Sequence, residues 1–193
     1  MKIVNVKEIK LKDTKEVRRI YKENFPKVER VPFNKLYSGV FADFKMYGFF
    51  NANNEALGFV HLINMDEFVH VNYIAVEKAY HRNGLGTKFI EWVKKEFNKP
   101  IVVDVENFDL SAKNIEERAR RLKFYYKNGF NDGDKEFDWA GTKMFYMTTG
   151  KISDKKFMTH IVKCFPTISN IKTHKSNKEK LESYLKNSSK IGN

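Results

Sequence analysis

Cysteine and long apolar runs are both scarce in this chain of 193 residues. Cys164 is its single cysteine, which excludes an internal disulfide framework and favours a reducing compartment. No uncharged stretch approaches the roughly 18 residues of a membrane span, and the first residues lack the apolar core of a signal peptide. We therefore expect a cytoplasmic protein without a membrane partner.

Apolar and aromatic residues are plentiful. Hydrophobic residues make up 41% of the chain and aromatic residues 15%, which is enough for a packed core. A chain of this length forms one well-buried domain, with or without an appendage, so two full domains are not expected.

The formal charge of +12 is unevenly distributed. Residues 151–193 contain ten lysines against three acidic residues, a net charge of +7, and residues 1–150 carry the remaining +5. Such a basic extension suits nucleic acid, an acidic protein or anionic lipid, whereas a solvated lysine-rich surface needs no partner. Both interpretations stay open, although lysine in place of arginine argues against bidentate phosphate recognition.

Residues 71–93 predict a strand, a short basic loop with two glycines, and then an amphipathic helix. Glycines at such a junction let backbone N–H groups approach an anion, and the start of the helix favours negative charge. A dinucleotide fingerprint needs a third glycine where Phe89 stands, and a Walker loop needs four residues between its glycines, so neither pattern is met. The junction predicts a pyrophosphate-bearing ligand of another kind.

Two motifs identify the chain as resembling the GCN5-related N-acetyltransferases (GNAT). The run His-Arg-Asn-Gly-Leu-Gly at 81–86 is similar to the coenzyme A loop of that family, although His81 departs from the usual first residue. The run Phe-Tyr-Tyr-Lys-Asn-Gly-Phe at 124–130 resembles the family's other landmark, the end of a helix. The motifs occur in the family's order, with a predicted strand at 100–106 between them.

The resemblance covers residues 1–150 and implies an α/β (α+β) GNAT fold there. Residues 151–193 lie outside it and are predicted to form a lysine-rich, partly helical extension. A mixed, mostly antiparallel sheet of about seven strands is flanked by about four helices. Strands are predicted at 3–9, 44–51, 56–64, 68–76 and 100–106, with a closing hairpin at 137–147 around Ala140-Gly141. Helices are predicted at 14–25, 34–40, 84–97 and 114–128, and helical spacing recurs at 155–164 and 177–186.

Acetyl-CoA is the co-substrate that the resemblance implies, with no metal. The family's splayed fourth strand bonds the pantetheine arm and the thioester carbonyl through its backbone, here at Ile74, Ala75 and Val76. The loop would supply amides, and the Thr87 hydroxyl, to the pyrophosphate from Arg82, Asn83, Gly84, Leu85, Gly86 and Thr87. His81 either donates a hydrogen bond to phosphate or lies on the surface.

Tyr125 occupies the family position of the general acid. A phenol titrates near 10 and a thiol near 8.5, so protonating the leaving thiolate is uphill by about 2 kcal/mol, a gap that site electrostatics can close. Tyr125 and Tyr126 are neighbours on one helix, and core packing is the alternative role for either. Many relatives carry an asparagine seven residues before the tyrosine, where this chain has Arg118; Asn114 lies a helical turn earlier.

General-base candidates near the fourth strand are Asp66, Glu67 and His70, each with a surface or hairpin position as the alternative. Strand periodicity favours His70, because it places that residue on one face with Asn72, Ile74 and Val76. Arg118, Arg120 and Arg121 would either meet phosphate or substrate, or form a solvated helical face. Acceptor contacts are expected from the aromatic residues Phe33, Tyr37, Trp139 and Tyr146, for which core packing is the alternative.

The function predicted first is acetyl-CoA-dependent N-acetylation of a primary amine by direct attack on the thioester. The acceptor is a small-molecule amine or the amine of a protein or peptide, in which case the extension would recognise an acidic partner. A non-catalytic acyl-CoA-binding or nucleic-acid-binding module with a basic tail is the alternative. The sequence leaves the oligomeric state open, with a homodimer among the alternatives.

Overall fold

Eight strands and five α-helices are formed by the residues that the computed structural model describes, which are 2–37, 43–139, 141–165 and 167–191. The strands are β1 Asn5–Glu8, β2 Asp43–Phe50, β3 Ala56–Asn64, β4 Val69–Val76, β5 Ile101–Glu106, β6 Asn131–Trp139, β7 Thr142–Thr148 and β8 Ser169–Thr173. The helices are α1 Lys15–Asn24, α2 Leu85–Phe97, α3 Ile115–Lys127, α4 Asp154–Cys164 and α5 Lys178–Ile191. The chain divides into two structural units, residues 1–101 and 102–193.

In the first unit, strands β1-β2-β3-β4 are adjacent in that order, and every pairing among them is antiparallel. Helix α1 buries Val17, Ile20 and Tyr21 against one face of these strands, as its apolar spacing predicts. It ends at Asn24, because Pro26 cannot continue the helical hydrogen-bond pattern. On its solvent-exposed face, Arg19 forms ion pairs with Glu16 and Glu23, one turn before and after it.

Helix α2 contacts the opposite face of the same strands. The Phe89 ring stacks on Phe49 with 3.9 Å between ring centroids. A side chain at Gly58 would place its Cβ 2.2 Å from the Ala75 carbonyl oxygen and 2.6 Å from the Phe89 ring. Glycine at this position therefore lets α2 approach the sheet closely.

A β-bulge in β4 changes which side chains share a face. Ile74 pairs with Val60 of β3, but the register shifts between His61 and Leu62, so that His70 pairs with Ile63. Paired residues of antiparallel strands project to the same side, and one extra residue reverses the alternation. The prediction that His70 shares a face with Ile74 and Val76 is therefore wrong, because Asn72 is the extra residue.

The second unit contains strands in the order β5-β7-β6-β8, again with antiparallel pairings. Strand β8 comes from the lysine-rich extension and was not predicted, because all five of its residues are exposed and it lacks an apolar alternation. The extension is held by His174, whose ring stacks on Phe145 at 4.4 Å and whose Nδ1 lies 3.2 Å from a Glu136 carboxylate oxygen. Lys172 adds an ion pair to Glu136 at 3.1 Å.

The mostly antiparallel α/β fold is confirmed, with eight strands where about seven were predicted and five α-helices where about four were predicted. The helical spacing at 155–164 and 177–186 corresponds to α4 and α5. The helix predicted at 34–40 is instead a 3-10 helix at Phe33–Tyr37, and residues 38–40 lie outside the described residues, as does Ala140 of the predicted hairpin turn. The domain division at residue 150 stays a prediction. In the described ranges, none of the helices has the length and apolar character that crossing a membrane requires.

Candidate functional site

The junction between β4 and α2 begins at a fixed point of the first unit. Glu77 follows the last residue of β4, and its backbone N–H donates to the Leu57 carbonyl oxygen at 2.9 Å. The Glu77 carboxylate accepts a hydrogen bond from the Arg19 guanidinium of α1. A 3-10 helix at Lys78–Tyr80 then carries the chain to the loop. The loop therefore starts from a position held by both the sheet and α1.

The loop itself contains two left-handed residues. Arg82 has a φ of 65° and Gly84, the residue before α2, has a φ of 71°. A Cβ at Gly84 would meet no atom within 4 Å, so the space above this glycine is open. No side chain caps the start of α2, and the Lys88 N–H donates to the Gly84 carbonyl oxygen at 3.3 Å. The first-turn amides of α2 thus face the loop as donors for an anion.

His81 is exposed, which agrees with the surface position that was one of its two predicted roles, and its ring also contacts the end of β4. Its Nε2 lies 3.0 Å from the Val76 carbonyl oxygen, so in the tautomer with hydrogen on Nε2 the ring donates to the last residue of β4. Two exposed cationic side chains of the loop region, those of Lys78 and Arg82, add positive charge beside the first-turn amides. The arrangement suits a ligand with several negative oxygens.

On β4, the side chains of the three proposed thioester-binding residues all pack against the protein. Ala75 is buried in the core below α1, while Ile74 and Val76 are half-buried on the other face. Their contribution to ligand binding, as the resemblance describes it, comes from backbone groups, and it stays a prediction.

Tyr125 and Tyr126 differ in what their hydroxyl groups contact. The Tyr126 hydroxyl donates to Asp132 at 2.7 Å, so this side chain is a structural link to β6. Tyr125 packs edge-on against Phe124 and Phe130, with both centroid distances at 5.2 Å, and its hydroxyl has no hydrogen-bond partner within the described part of the chain. Burial raises the pKa of Tyr125 to about 12. Of the two, Tyr125 is the phenol that remains available to a ligand.

Glu106, which the sequence did not single out, organises the start of α3. Its carboxylate accepts hydrogen bonds from Arg118 at 2.9 Å and from Arg121 at 2.7 Å. Arg118 also donates to the Asn114 side chain and to the Asn107 carbonyl oxygen. Contact with phosphate or substrate, or a solvated helical face, was predicted for Arg118 and Arg121. The structure instead places both in an ion-pair cluster with Glu106, which attaches α3 to the end of β5.

The general-base candidates differ in their exposure to solvent. Asp66 and Glu67 are exposed in the turn before β4, at the opposite end of that strand from the glycine loop. His70 is fully buried. A second buried histidine, His61, was missed, although its place in an apolar strand was visible in the run Ala-Leu-Gly-Phe-Val-His-Leu-Ile-Asn.

His61 is held as a neutral imidazole. Its Nε2 donates to the Leu36 carbonyl oxygen at 2.8 Å, and the Asn72 amide lies 3.4 Å from Nδ1. Burial lowers the pKa of His61 to about 4, with the Leu36 carbonyl opposing this shift and the charge of His70 adding to it.

Acidification is expected to destabilise the protein through His61. In the unfolded chain the histidine titrates near 6.5, so between pH 6.5 and 4 the unfolded state binds a proton that the folded state does not bind. The contribution of neutral His61 to the free energy of unfolding is therefore complete above pH 6.5 and is lost as pH falls toward 4. Between pH 7 and pH 5 the free energy of unfolding should fall by about 2 kcal/mol from this group. Urea unfolding of the wild type and of His61→Gln at both values tests this: the variant should lose about 2 kcal/mol less, and equal losses would contradict it.

Comparison with known proteins supports the resemblance that the two motifs indicated. Residues 45–132, which include β4, the glycine loop and α3, match the model of the acetyltransferase (GNAT) domain. That segment, a little under half of the chain, is thereby identified as similar to a GNAT acetyltransferase domain. The assignment predicted from the two motifs is confirmed.

Proteins similar to this chain include YjbC of Bacillus subtilis (strain 168), which is named provisionally as an acetyltransferase. The two are 30% identical over 131 residues, or 63% of this chain and 64% of YjbC, so the match spans less than two thirds of that relative. A solved GNAT-family protein of Bacteroides thetaiotaomicron aligns with 85% of this chain and 98% of its own, at 22% identity and TM-score 0.68. A solved aminoglycoside 6'-N-acetyltransferase complexed with coenzyme A aligns with 78% of this chain and 100% of its own, at 14% identity and TM-score 0.55.

The aromatic residues that were predicted to contact an acceptor fall into two groups. Phe33 and Tyr37 lie together in the first unit, 6.0 Å between ring centroids, with Phe33 in the core and the Tyr37 hydroxyl 3.2 Å from the Met46 sulfur. In the second unit Tyr146 is buried against Phe157, and its hydroxyl donates to Asp154. Trp139 is half-buried, 6.4 Å from Phe165. Phe33 and Tyr146 are buried, so the alternative to acceptor contact, packing in the core, is the role the structure shows for these two.

Proposed function

We propose that this protein transfers the acetyl group of acetyl-CoA to a primary amine by direct attack on the thioester. The observation that carries this proposal is the junction between β4 and α2, with its left-handed Gly84, open space above that residue and uncapped helix start. The family supports acetyl transfer, and one structural neighbour is named as a complex with coenzyme A.

The loop would bind the diphosphate of the co-substrate. The first-turn amides of α2 point along the helix axis toward the anion, where the helix dipole favours negative charge. Arg82 supplies a formal positive charge that has no acidic partner among the described residues. Bound acetyl-CoA then supplies the activated acetyl group.

Tyr125 would complete the reaction as the proton donor. The neutral amine nitrogen bonds to the thioester carbonyl carbon, the carbon–sulfur bond breaks, and the departing thiolate takes the Tyr125 hydroxyl proton, while water accepts the amine proton. A pKa of about 12 keeps the phenol protonated throughout the physiological range. The same burial that makes the phenol a weaker acid also destabilises the thiolate, so the two effects offset each other.

One observation favours a second function, a non-catalytic acyl-CoA-binding module. Arg118 stands where many relatives carry a pantetheine-binding asparagine, and its guanidinium is engaged by Glu106 and the Asn107 carbonyl. A protein of this kind would bind acetyl-CoA with the same loop but would release no thiol in the presence of amines.

Thiol release from acetyl-CoA, measured with a panel of amines, polyamines, aminoglycosides and peptides, tests the proposal. We expect at least one amine to accelerate release well above the rate with water alone, with an acetylated product visible by mass spectrometry. Tight acetyl-CoA binding without acceleration by any amine would favour the binding module. Absence of acetyl-CoA binding would contradict both functions.

A further inference from the structure

Most arginine side chains of this protein have a partner within the chain. The partnered residues are Arg18 over the Phe33 ring, Arg19 with three glutamates, Arg118 and Arg121 with Glu106, and Arg120 with Glu116. Across the described ranges, the two arginines with neither an acidic partner nor a ring contact are Arg82 and Arg30. Arg82 lies in the proposed diphosphate loop, whereas Arg30 has no role in the function proposed above.

The backbone on either side of Arg30 is tied to strand β4. The Tyr73 hydroxyl donates to the Glu29 carbonyl oxygen at 3.0 Å, and the Val31 N–H donates to the same hydroxyl at 3.4 Å. From α1, the Tyr21 hydroxyl donates to the Val31 carbonyl oxygen at 2.9 Å. Tyr73 directly precedes Ile74, the first of the proposed thioester-binding residues. Arg30 is therefore fixed beside the strand on which acetyl transfer would take place.

The Arg30 guanidinium is held by packing and is not neutralised by a neighbouring charge. Its Nε is closed off from solvent and has no hydrogen-bond partner in the part of the chain that the structure describes, while the side chain as a whole is only half-buried. The two terminal nitrogens are therefore the accessible part of the group, and they too lack a protein acceptor in the described residues. Burial raises the pKa of Tyr21 and the charge of Arg30 opposes that shift, which indicates that the guanidinium lies near the Tyr21 hydroxyl.

A guanidinium in this state is suited to an incoming anion. Its planar fork matches the two oxygens of a carboxylate, and charge-assisted bonds of this type are stronger than neutral ones. Fixed Tyr21 and Tyr73 contacts preorganise the segment that presents the fork.

We propose that Arg30 binds a carboxylate of the acceptor, so that the amine substrate is an amino acid or a peptide presenting a carboxylate near its amine. This inference rests on the proposed function, since it names the substrate class of the same reaction. Arg30 acts as a specificity-determining residue and takes no part in the bond changes.

Matched acceptor pairs that differ only in a carboxylate provide the test. Thiol release is measured with lysine against cadaverine, arginine against agmatine, and a peptide with a free C-terminus against its amide. We expect wild-type kcat/KM to be higher for the carboxylate member of at least one pair. Arg30→Met should raise the KM for that member by at least about tenfold, leave kcat within about twofold, and leave the KM of the other member unchanged.

Two further variants separate recognition from folding. Arg30→Lys keeps the positive charge but loses the planar fork, so it should show part of the wild-type preference for the carboxylate member of the pair. Arg120→Met removes an exposed arginine on α3 and is the control, so it should keep the full wild-type preference. Equal losses for both members of a pair, or wild-type preference for the members without a carboxylate, would overturn the inference. If no amine is acetylated, calorimetric titration of lysine into the wild type and Arg30→Met decides: binding that the variant lacks supports the Arg30 site, and absence of binding overturns it.

Discussion

Gly84→Glu is expected to weaken acetyl-CoA binding at least about a hundredfold. Gly84 has a φ of 71°, so any side chain adds backbone strain, and the new carboxylate would project into the open space where the diphosphate is proposed to lie. Repulsion between the two anions at the start of α2 then opposes the attraction that the amides supply. Calorimetric titration with acetyl-CoA measures the effect.

Two matched variants make this result specific. Gly141 also has a positive φ, 80°, and a Cβ there would likewise meet nothing within 4 Å, so Gly141→Glu carries the same strain and charge in the turn between β6 and β7. It should bind acetyl-CoA as the wild type does. Gly84→Ala adds strain without charge and should lose far less affinity than Gly84→Glu. Equal affinity of Gly84→Glu and the wild type would remove the loop from the binding site.

Tyr125→Phe is expected to lower kcat by at least about a hundredfold with little change in acetyl-CoA affinity. The substitution removes one hydroxyl that has no hydrogen-bond partner among the described residues, so packing against Phe124 and Phe130 is kept. A general acid acts in the transition state, which places the loss in kcat. Pre-steady-state thiol release measures the chemical step separately from product release.

The neighbouring phenol provides the control. Tyr126→Phe removes the hydrogen bond to Asp132, so it should lower the free energy of unfolding by about 1 kcal/mol while leaving kcat unchanged. Because the pKa of Tyr125 is raised to about 12, the protonated phenol persists up to that pH, and the wild-type rate should show no decline from Tyr125 between pH 7 and pH 10. A loss of rate in Tyr126→Phe instead of Tyr125→Phe would contradict the assignment.

Local patterns predicted the parts of the fold that depend on spacing along the chain. The amphipathic repeats of α1, α2 and α3 and the glycine motif were visible because each is a contiguous segment with one buried face. The bulge at Asn72 was not visible, because its extra residue is defined by register with β3, and it placed His70 on the opposite face from the one predicted. Strand β8 lacked a signal for the same kind of reason, since pairing with β6 and not apolar spacing defines it.

The resemblance supplied positions for the candidate site, which stay predictions, and the residues it did not cover were found only in three dimensions. Glu106 binds Arg118 and Arg121 of a different element, and Arg30 is distinguished by having no acidic partner among the described residues. Neither the ion pairs of Glu106 nor the environment of Arg30 can be predicted from a local sequence pattern. His81 illustrates the limit within a motif, since its bond to the Val76 carbonyl depends on how the loop turns back on β4.

Hydrogen exchange across residues 77–89, measured with and without saturating acetyl-CoA, tests most directly whether the junction of β4 and α2 is the co-substrate site. Amides of the loop and of the first turn of α2 that donate to a bound diphosphate should exchange at least about tenfold more slowly in the complex. We expect this protection at 82–87, and we expect Gly84→Glu to abolish it. Acetyl-CoA binding that leaves exchange in this segment unchanged would contradict the proposed site.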